Sequence, residues 1–369
     1  MRNLDVIETW LRNVALSHSD SEGTAYVYRM HLTSFCQFIE ATPQEIINEY
    51  EKSDEKAFKR KFAEYLRAWI GTLSKTNASG TVHVATGAVR SFFKYNDLPL
   101  AFVPQIKAHV SYHNRDISKD EIKAVINMSA PRERAFYAMM VQSGLRPDTL
   151  CKLRLKSLEP DFSKNVVPCK ITVNEQDTKG KTHAYFSFIG SEAVEYLRAY
   201  LATRSSVKGE DYVFTAMGLN APSNPKTPSN EFRLALRKLH EKGIVKYEVR
   251  GNRKPSELRL YNLRKYFKKY ASAMGTEESE FLMGHSQGVR DHYLAQDPEH
   301  FRKLYAEKAL PNLRLSSATA LEYEKTMTEK DEKIAKLEKD VEELRDLVTK
   351  QTATMQKLID RVKHEESQE

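Results

Sequence analysis

Cysteine is scarce in this 369-residue chain, and long apolar runs are missing from it. The three cysteines, Cys36, Cys151 and Cys169, lie far apart and form no CxxC pair. This distribution excludes a disulfide scaffold and a thiolate zinc site, and it is typical of a reducing compartment. No stretch approaches the ~20 consecutive apolar residues that a transmembrane helix needs. The N-terminal residues carry acids and no apolar core segment, so we expect neither a membrane protein nor one exported by a signal peptide.

The charge of the chain is positive but unevenly distributed. Lys and Arg number 58 against 50 Asp and Glu, which gives a net charge of +8, and the isoelectric point is about 9.1. A basic balance favours a polyanionic partner such as nucleic acid. Residues 318–369 hold 10 basic and 14 acidic residues, so this segment is acidic while residues 1–317 carry a net charge of +12. We therefore expect the body of the chain to contact the acidic partner.

The acidic C-terminal segment carries a heptad repeat and contains no Gly, Pro, Cys or Trp. Mostly β-branched residues at a with Leu at d favour a parallel two-stranded coiled coil. The a positions are Met327, Ile334, Val341, Val348, Met355 and Val362, and the d positions are Leu337, Leu344, Gln351 and Leu358. The pattern predicts a coiled-coil oligomerisation helix over residues 318–366. A single amphipathic helix folded back on the body is the alternative.

The first hundred residues have the periodicity of helices. Between Phe58 and Trp69, apolar residues recur at intervals that place them on one helical face. Lys59 and Arg60 lie off that face, either as a solvated surface or as a surface that contacts phosphates. We predict a helical domain over residues 1–103. Residues 104–117 have mixed polarity and little periodicity, so we interpret them as an interdomain linker.

The sequence after the linker predicts a mainly helical domain with one small sheet, over residues 118–315. Ser118 and Glu121 have the spacing of a capping box at a helix start. Between 168 and 189 two short β-like runs flank a polar turn that contains Gly180, which predicts an antiparallel hairpin. Helical patterns resume at 191–204, 229–242 and 255–274.

An ordered set of short motifs runs through this predicted domain. Each residue alone is most often structural: Arg146 can cap a helix, His285 after Gly284 can be a C-cap, and Lys179 can be a solvated turn residue. In chain order the motifs are Gly144-Leu145-Arg146 at a helix–helix turn, Lys179 in the hairpin turn, Leu263-Arg264 in a basic helix, and Leu282-Met283-Gly284-His285 followed by Tyr293.

Together the motifs resemble those of the tyrosine recombinases, the phage-integrase family of site-specific DNA recombinases. SGLRPDTLCKLRL resembles the first arginine box, LRLYNLRKYFKKYASAMGTEESEFLMGHS resembles the second, and DHYL presents Tyr293 where the family's nucleophile falls. TVHVATGAVRSFFKYN resembles the end of the N-terminal core-binding domain. The likeness spans about residues 5–312 and is closest in kind to an archaeal or viral-like integrase variant.

The sequence departs from the family pattern at two positions. The second box usually reads His-x-x-Arg, whereas this chain has Tyr261 in the position of the histidine. In the first box an acid normally follows the arginine at +3, but here Thr149 occupies +3 and Asp148 lies at +2. Tyr261 is the proposed stand-in for the missing histidine, and the support of Arg146 is left open.

The resemblance implies a mainly α fold with a small antiparallel β-hairpin in the catalytic domain. The core-binding (SAM-like) domain and the catalytic domain would form a two-domain DNA clamp, to which the coiled coil is added. By resemblance, Tyr293 forms a covalent 3′-phosphotyrosine, Arg146 and Arg264 neutralise the phosphate, His285 accepts a proton or binds phosphate, and Lys179 or Lys181 protonates the leaving 5′ oxygen. Neither a metal nor a cofactor is expected. Expected DNA contacts are Lys59, Arg60, Arg90, Lys181 and Lys265.

The expected partners are double-stranded DNA and further copies of the chain, as a coiled-coil dimer and a tetramer on paired sites. The expected location is the cytoplasm with the nucleoid, or the nucleus of a eukaryote, and a mobile genetic element is the expected source. Two other functions remain open: a nicking and closing enzyme that resembles type IB topoisomerases, and a DNA-binding architectural protein that has lost catalysis.

Overall fold

Helices make up most of the residues that the computed structural model describes. It describes residues 6–18, 22–109, 115–178, 183–205, 207–216, 221–247, 257–285, 288 and 297–316. The chain divides into two compact units, Met1–Leu313 and Arg314–Glu369. The predicted coiled coil at 318–366 lies outside the described residues.

Five of the described helices form the N-terminal part of the first unit. Their aromatic and aliphatic faces pack into a hydrophobic core that runs from Trp10 to Val103. Trp10 meets Phe92 edge-on with ring centroids 5.5 Å apart. The helices are α1 (Val6–Ser17), α2 (Glu22–Phe38), α3 (Pro43–Lys52), α4 (Glu55–Thr76) and α5 (Ser79–Tyr95).

The apolar face predicted for α4 is buried at Phe58, Phe62 and Trp69, which confirms the helix that the periodicity indicates. Tyr65 is the exception at 36% exposure, because it lies at the edge of the stripe. Ile106, within the predicted linker, packs against the same N-terminal core. The domain boundaries at 103 and 118 stay predictions.

The second part of this unit begins with α6 (Lys119–Met128), and the start of this helix confirms the predicted capping box. Ser118 Oγ accepts a hydrogen bond from the Glu121 amide at 3.2 Å, and Glu121 Oε2 accepts one from the Ser118 amide at 2.9 Å. Helix α7 (Pro131–Ser143) follows and is buried on every side from Ala135 onward. A helix without a polar face belongs in a core, and α7 packs against α6 and several later elements.

The predicted hairpin is present as β1 (Cys169–Val173) and β2 (Tyr185–Ile189). The two strands pair antiparallel, with Cys169 opposite Ile189 and Val173 opposite Tyr185. All five residues of β2 are buried, since α7 and α12 (Thr276–Leu282) both contact this strand. The hairpin turn, residues 179–182, lies outside the described residues.

The remaining helices agree with the predicted segments and differ at their ends. They include α8 (Pro147–Lys152), α9 (Ser191–Leu201), α10 (Lys226–Glu241) and α11 (Tyr261–Ala271). A last helix, Pro298–Leu304, continues through a π-helical turn to Leu313. Arg302 fastens it to the body by an ion pair with Asp161 at 2.7 Å. Among the helices that are described, none combines the length and apolarity that a bilayer-spanning segment requires.

Ser118→Ala removes the capping acceptor from the start of α6. We expect it to lower the free energy of unfolding by about 1 kcal/mol, since an orphan amide then loses its partner. Urea unfolding followed by circular dichroism measures this change. Ser74→Ala, the same substitution at an exposed position inside α4, is the matched control. Alanine favours helix interiors, so the control should not destabilise, and equal losses in both variants would contradict the capping argument.

Candidate active site

Two glycine turns bring the first and second boxes together. Gly144 ends α7 and Gly284 follows α12, and both have a φ of +65°. A Cβ added at Gly144 would lie 2.2 Å from Phe267 Cδ1, and one added at Gly284 would lie 2.4 Å from Tyr185 Cζ. These two turns require glycine because the backbone is left-handed and the neighbouring ring leaves no space.

The turn at Gly284 closes α12 and delivers His285. The Gly284 amide donates to the Phe281 carbonyl at 2.8 Å, and the His285 amide donates to the Glu280 carbonyl at 3.1 Å. These two bonds define a Schellman C-cap. Gly284 and His285 therefore form a helix C-cap, which is the structural interpretation of this pair given above. The same cap places His285 next to the two arginines.

Arg264 lies on α11 and is 1% exposed. Its Nη1 donates to the Gly144 carbonyl, and its Nη2 donates to the Met283 carbonyl at 2.8 Å. Nη2 also lies 2.8 Å from His285 Nε2. Burial, reinforced by the charge of Arg146, lowers the pKa of Arg264 to about 10, so the side chain stays charged at neutral pH.

Arg146 lies at the N-cap position of α8, where its side chain makes no capping hydrogen bond. Its Nη1 donates to the Gly284 carbonyl at 3.2 Å and to the Met283 carbonyl at 3.5 Å. Both arginines are thus held by the same two-residue segment. The structure brings Arg146, Arg264 and His285 together, although they are far apart in the sequence.

Within the described part of the chain, the two arginines donate hydrogen bonds only to neutral acceptors. No hydrogen bond from either guanidinium to a carboxylate is found there. Two guanidiniums beside each other without an acid on either of them leave a local excess of positive charge. Such a pair matches the geometry and charge of a phosphodiester, which guanidiniums bind through paired hydrogen bonds.

The two first-box residues that differ from the family pattern, Asp148 and Thr149, have different surroundings. Asp148 pairs with Lys152 at 2.8 Å, so this carboxylate supports α8 and not Arg146. Thr149 is buried beside Tyr185, whose hydroxyl is also buried. Burial raises the pKa of Tyr185, while Arg264, Arg146 and the Thr149 hydroxyl oppose this. At the position where the resemblance implies an acid, this chain therefore has the neutral hydroxyl of Thr149.

Tyr261 is the first residue of α11 and lies one turn before Arg264. It is 45% exposed, and its proximity acts to raise the pKa of Arg264. An exposed phenol on this side of the helix has access to a substrate. Its function as the stand-in for histidine stays a prediction.

The predicted DNA-contacting residues have varied surroundings. Lys59 forms an ion pair with Glu55 within α4. Arg90 donates to the carbonyls of Val103 and Pro104, so it fastens the chain that leaves α5. Arg60 and Lys265 are exposed. Contact of these residues with DNA stays a prediction.

Three predicted site residues, Tyr293, Lys179 and Lys181, lie outside the described residues. Within the described ranges, no group of three or more His, Cys, Asp or Glu side chains is arranged to hold a metal ion. Three residues that contact or adjoin the cluster are not predicted by the motifs, and these are Tyr185, Glu280 and Lys268. Glu280 has a local signal, because it lies five residues before a histidine that follows a capping glycine.

Comparison with known proteins assigns residues 115–296 to a family. The model of the phage integrase family matches residues 115–296, and a comparison with curated protein sequences gives no match. A lambda integrase(75-356) dimer bound to a COC′ core site superposes with a TM-score of 0.52 and 14% identity, over 77% of this chain and 96% of that one. A lambda integrase tetramer bound to a Holliday junction superposes with a TM-score of 0.52 and 12% identity, over 77% of each chain. XerA recombinase superposes with a TM-score of 0.36 and 20% identity, over 82% of this chain and 97% of that one.

These findings confirm the resemblance that the sequence motifs indicate. Residues 115–296 match the model of the phage integrase family, so this part of the chain is a domain of the tyrosine recombinase family. The likeness to the lambda structures shows the fold, which is mainly helical with a two-stranded antiparallel sheet. Arg146, Tyr185, Arg264 and His285 all lie within the matched domain.

Gly284→Ala tests the requirement for glycine at the second turn. A left-handed φ and the overlap with Tyr185 together should lower the free energy of unfolding by about 2–4 kcal/mol. Thermal or urea unfolding measures the change. Gly71→Ala is the matched control, because Gly71 lies in α4 with nothing within 4 Å of an added Cβ. The control should be stabilising by up to about 1 kcal/mol, and a harmless Gly284→Ala would contradict the close approach.

Proposed function

We propose that this protein is a site-specific DNA recombinase, or integrase, that cuts and rejoins duplex DNA through a covalent 3′-phosphotyrosine intermediate. The observation that carries the proposal is the convergence of Arg146, Arg264 and His285 on the Met283–Gly284 turn. That convergence lies inside a phage integrase family domain. Double-stranded DNA is the proposed substrate.

The proposed reaction exchanges one phosphodiester for another. The hydroxyl oxygen of Tyr293 attacks the scissile phosphorus, and the bond from phosphorus to the 5′ oxygen breaks. The product is a phosphotyrosine and a free 5′ hydroxyl, so the energy of the bond is kept for rejoining to a new strand. The tyrosine loses a proton and the 5′ oxygen gains one, which requires a base and an acid in the site.

The two arginines are proposed to stabilise the charge that develops on the nonbridging oxygens. Both are already held by backbone carbonyls, so little reorganisation is needed when a phosphate binds. A preorganised donor of this kind contributes about 3–4 kcal/mol to a transition state, which corresponds to about 10²–10³ in rate. Arg264 has the greater burial, and loss of its charge should therefore be the more damaging.

Lys179 is proposed as the acid that protonates the leaving oxygen. It adjoins Gly180 in the hairpin turn, and Lys181 on the other side of that glycine is the alternative. Lysine suits this function because its three donors and flexible stem allow it to reach a leaving group. His285 is the proposed acceptor of the tyrosine proton, and Tyr261 is proposed to assist in place of the usual histidine.

The proposed assembly uses all three predicted domains. Residues 1–103 would hold one face of the DNA and residues 118–315 the other, joined by the linker at 104–117. The heptad repeat of residues 318–366 would join two copies, and paired sites would bring together a tetramer. Lambda integrase, whose fold is similar, is described both as a dimer on a core site and as a tetramer on a Holliday junction. We place the protein with DNA in the cytoplasm, or in a nucleus, and propose a mobile genetic element as its source.

Tyr293→Phe tests the nucleophile. A duplex that the protein selects from a random pool, nicked next to the cleavage point, traps the intermediate because the short strand diffuses away. The wild type should form a covalent protein–DNA adduct on a denaturing gel, and Tyr293→Phe should form none. Tyr200→Phe, a buried tyrosine that stacks on Phe214, is the control and should form the adduct. An adduct with Tyr293→Phe, or none with the wild type, would refute the proposal.

Two separate variants, Lys179→Ala and Lys181→Ala, identify which lysine is the acid. A substrate with sulfur in place of the 5′ bridging oxygen expels a thiolate, which needs no proton. The variant that lacks the acid should cleave ordinary DNA about 10²–10⁴-fold more slowly and should regain most of its rate on the sulfur substrate. We expect Lys179→Ala to show this rescue. Rescue of Lys181→Ala alone would transfer the function to Lys181, and rescue of neither would exclude both.

A further inference from the structure

His285 is held at both of its ring nitrogens. Nε2 lies 2.8 Å from Arg264 Nη2, and Nδ1 contacts Glu280 Oε2. A guanidinium can only donate and a carboxylate can only accept. Nε2 must therefore accept from Arg264, and Nδ1 must carry the ring proton that goes to Glu280. These partners assign the neutral tautomer of His285, with its lone pair directed to the arginine cluster.

Glu280 is itself fixed by a second partner. Its Oε1 lies 2.5 Å from Lys268 Nζ, and Lys268 also donates to Ser279 Oγ at 2.8 Å. Burial alone would raise the pKa of Glu280, but hydrogen bonds from Lys268 and His285 outweigh it and hold that pKa below the usual range. Glu280 is therefore a carboxylate at neutral pH, with one oxygen committed to each partner.

The backbone explains why these side chains meet. In a Schellman cap, the side chain at C″, which is the residue after the left-handed one, contacts the side chain at C3 within the helix. Both side chains are commonly apolar. Here the two positions are His285 and Glu280, so a charged hydrogen bond replaces the apolar contact. Lys268 lies one turn after Arg264 on α11, so the helix that supplies the buried arginine also supplies the cation that holds Glu280.

The arginines make this carboxylate necessary. If His285 takes a proton at Nε2, the imidazolium forms 2.8 Å from a guanidinium, and the two positive charges repel each other. Among the described residues, Glu280 is the carboxylate in contact with the other side of the ring. Its charge offsets the repulsion at the moment the proton is transferred.

We propose that Glu280, held by Lys268, is a positioning residue for His285. It fixes the tautomer that leaves Nε2 without a proton. It also stabilises the imidazolium that forms when Nε2 gives up the hydrogen bond from Arg264 and takes the proton of Tyr293. The proton at Nδ1 stays on the ring, and Glu280 stays ionised. This inference rests on the proposed function, because it assumes that His285 receives the proton of Tyr293.

Glu280→Gln in the full-length chain keeps the shape of the side chain and removes its charge. The single-turnover rate of adduct formation on saturating nicked duplex should fall about 10–100-fold, as for other carboxylates that orient a functional histidine. The dissociation constant for the DNA should change by less than about twofold. Glu277→Gln, at an exposed position of the same helix, is the matched control and should cleave at the wild-type rate.

The decisive comparison repeats Glu280→Gln in a His285→Ala background. A residue that acts only through His285 has no further effect once the imidazole is gone, so the rate should stay at that of His285→Ala. An equal fold-loss in both backgrounds would show that Glu280 supports the fold independently, and it would overturn the inference. Lys268→Met should give a smaller loss in the same direction, and this loss should vanish in the Glu280→Gln background.

The outcomes separate the inference from the proposed function. If the wild type forms no adduct, the proposed function fails and the inference fails with it. If the wild type forms the adduct and Glu280→Gln matches its rate, the inference alone is overturned. Circular dichroism of each variant identifies any that fails to fold. Lys268→Met then provides the comparison in its place, and a wild-type rate in that variant would overturn the inference.

Discussion

The buried guanidinium of Arg264 is the constraint on which the arrangement of the site depends. A charged side chain inside a protein is tolerated only where its donors are satisfied. Here two backbone carbonyls, those of Gly144 and Met283, and one imidazole nitrogen accept hydrogen bonds from the two terminal nitrogens of Arg264. Carbonyls become available at helix ends, where no further turn follows to use them. The site is therefore built where α7 and α12 stop.

This constraint connects three distant parts of the chain. Arg264 joins the turn after α7 to the turn after α12, and Arg146 leaves the first turn to reach the carbonyls of the second. The strand β2 lies beneath Gly284, where Tyr185 fills the space that a side chain at 284 would occupy. Because the acceptors are neutral, the positive charge of the pair stays available for the phosphate of DNA.

Local sequence patterns were sufficient for features whose cause is local. The capping box at Ser118, the α4 stripe and the antiparallel hairpin each follow from spacing within one short segment of the chain, and the structure has all three. The motif order gave the family. Tyr185 was missed because its place depends on the approach of β2 to the turn at Gly284, which no short pattern encodes. The contact of Glu280 with His285 is not predicted by the motifs, although the spacing Glu-x-x-x-Gly-His is typical of a Schellman cap that brings these two residues together. The assignments of Tyr293, of the hairpin lysines and of the coiled coil stay predictions.

Both arginines, held by the carbonyls of two glycine turns, are proposed to bind one scissile phosphate. A crystal structure of the Tyr293→Phe variant with its selected duplex measures this directly. We predict that guanidinium nitrogens of Arg146 and Arg264 both lie within about 3 Å of nonbridging oxygens of the same phosphate. The carbonyls of Gly144, Met283 and Gly284 should still accept hydrogen bonds from them. Guanidiniums on two different phosphates, or an Arg264 that stays directed away from the DNA, would contradict it.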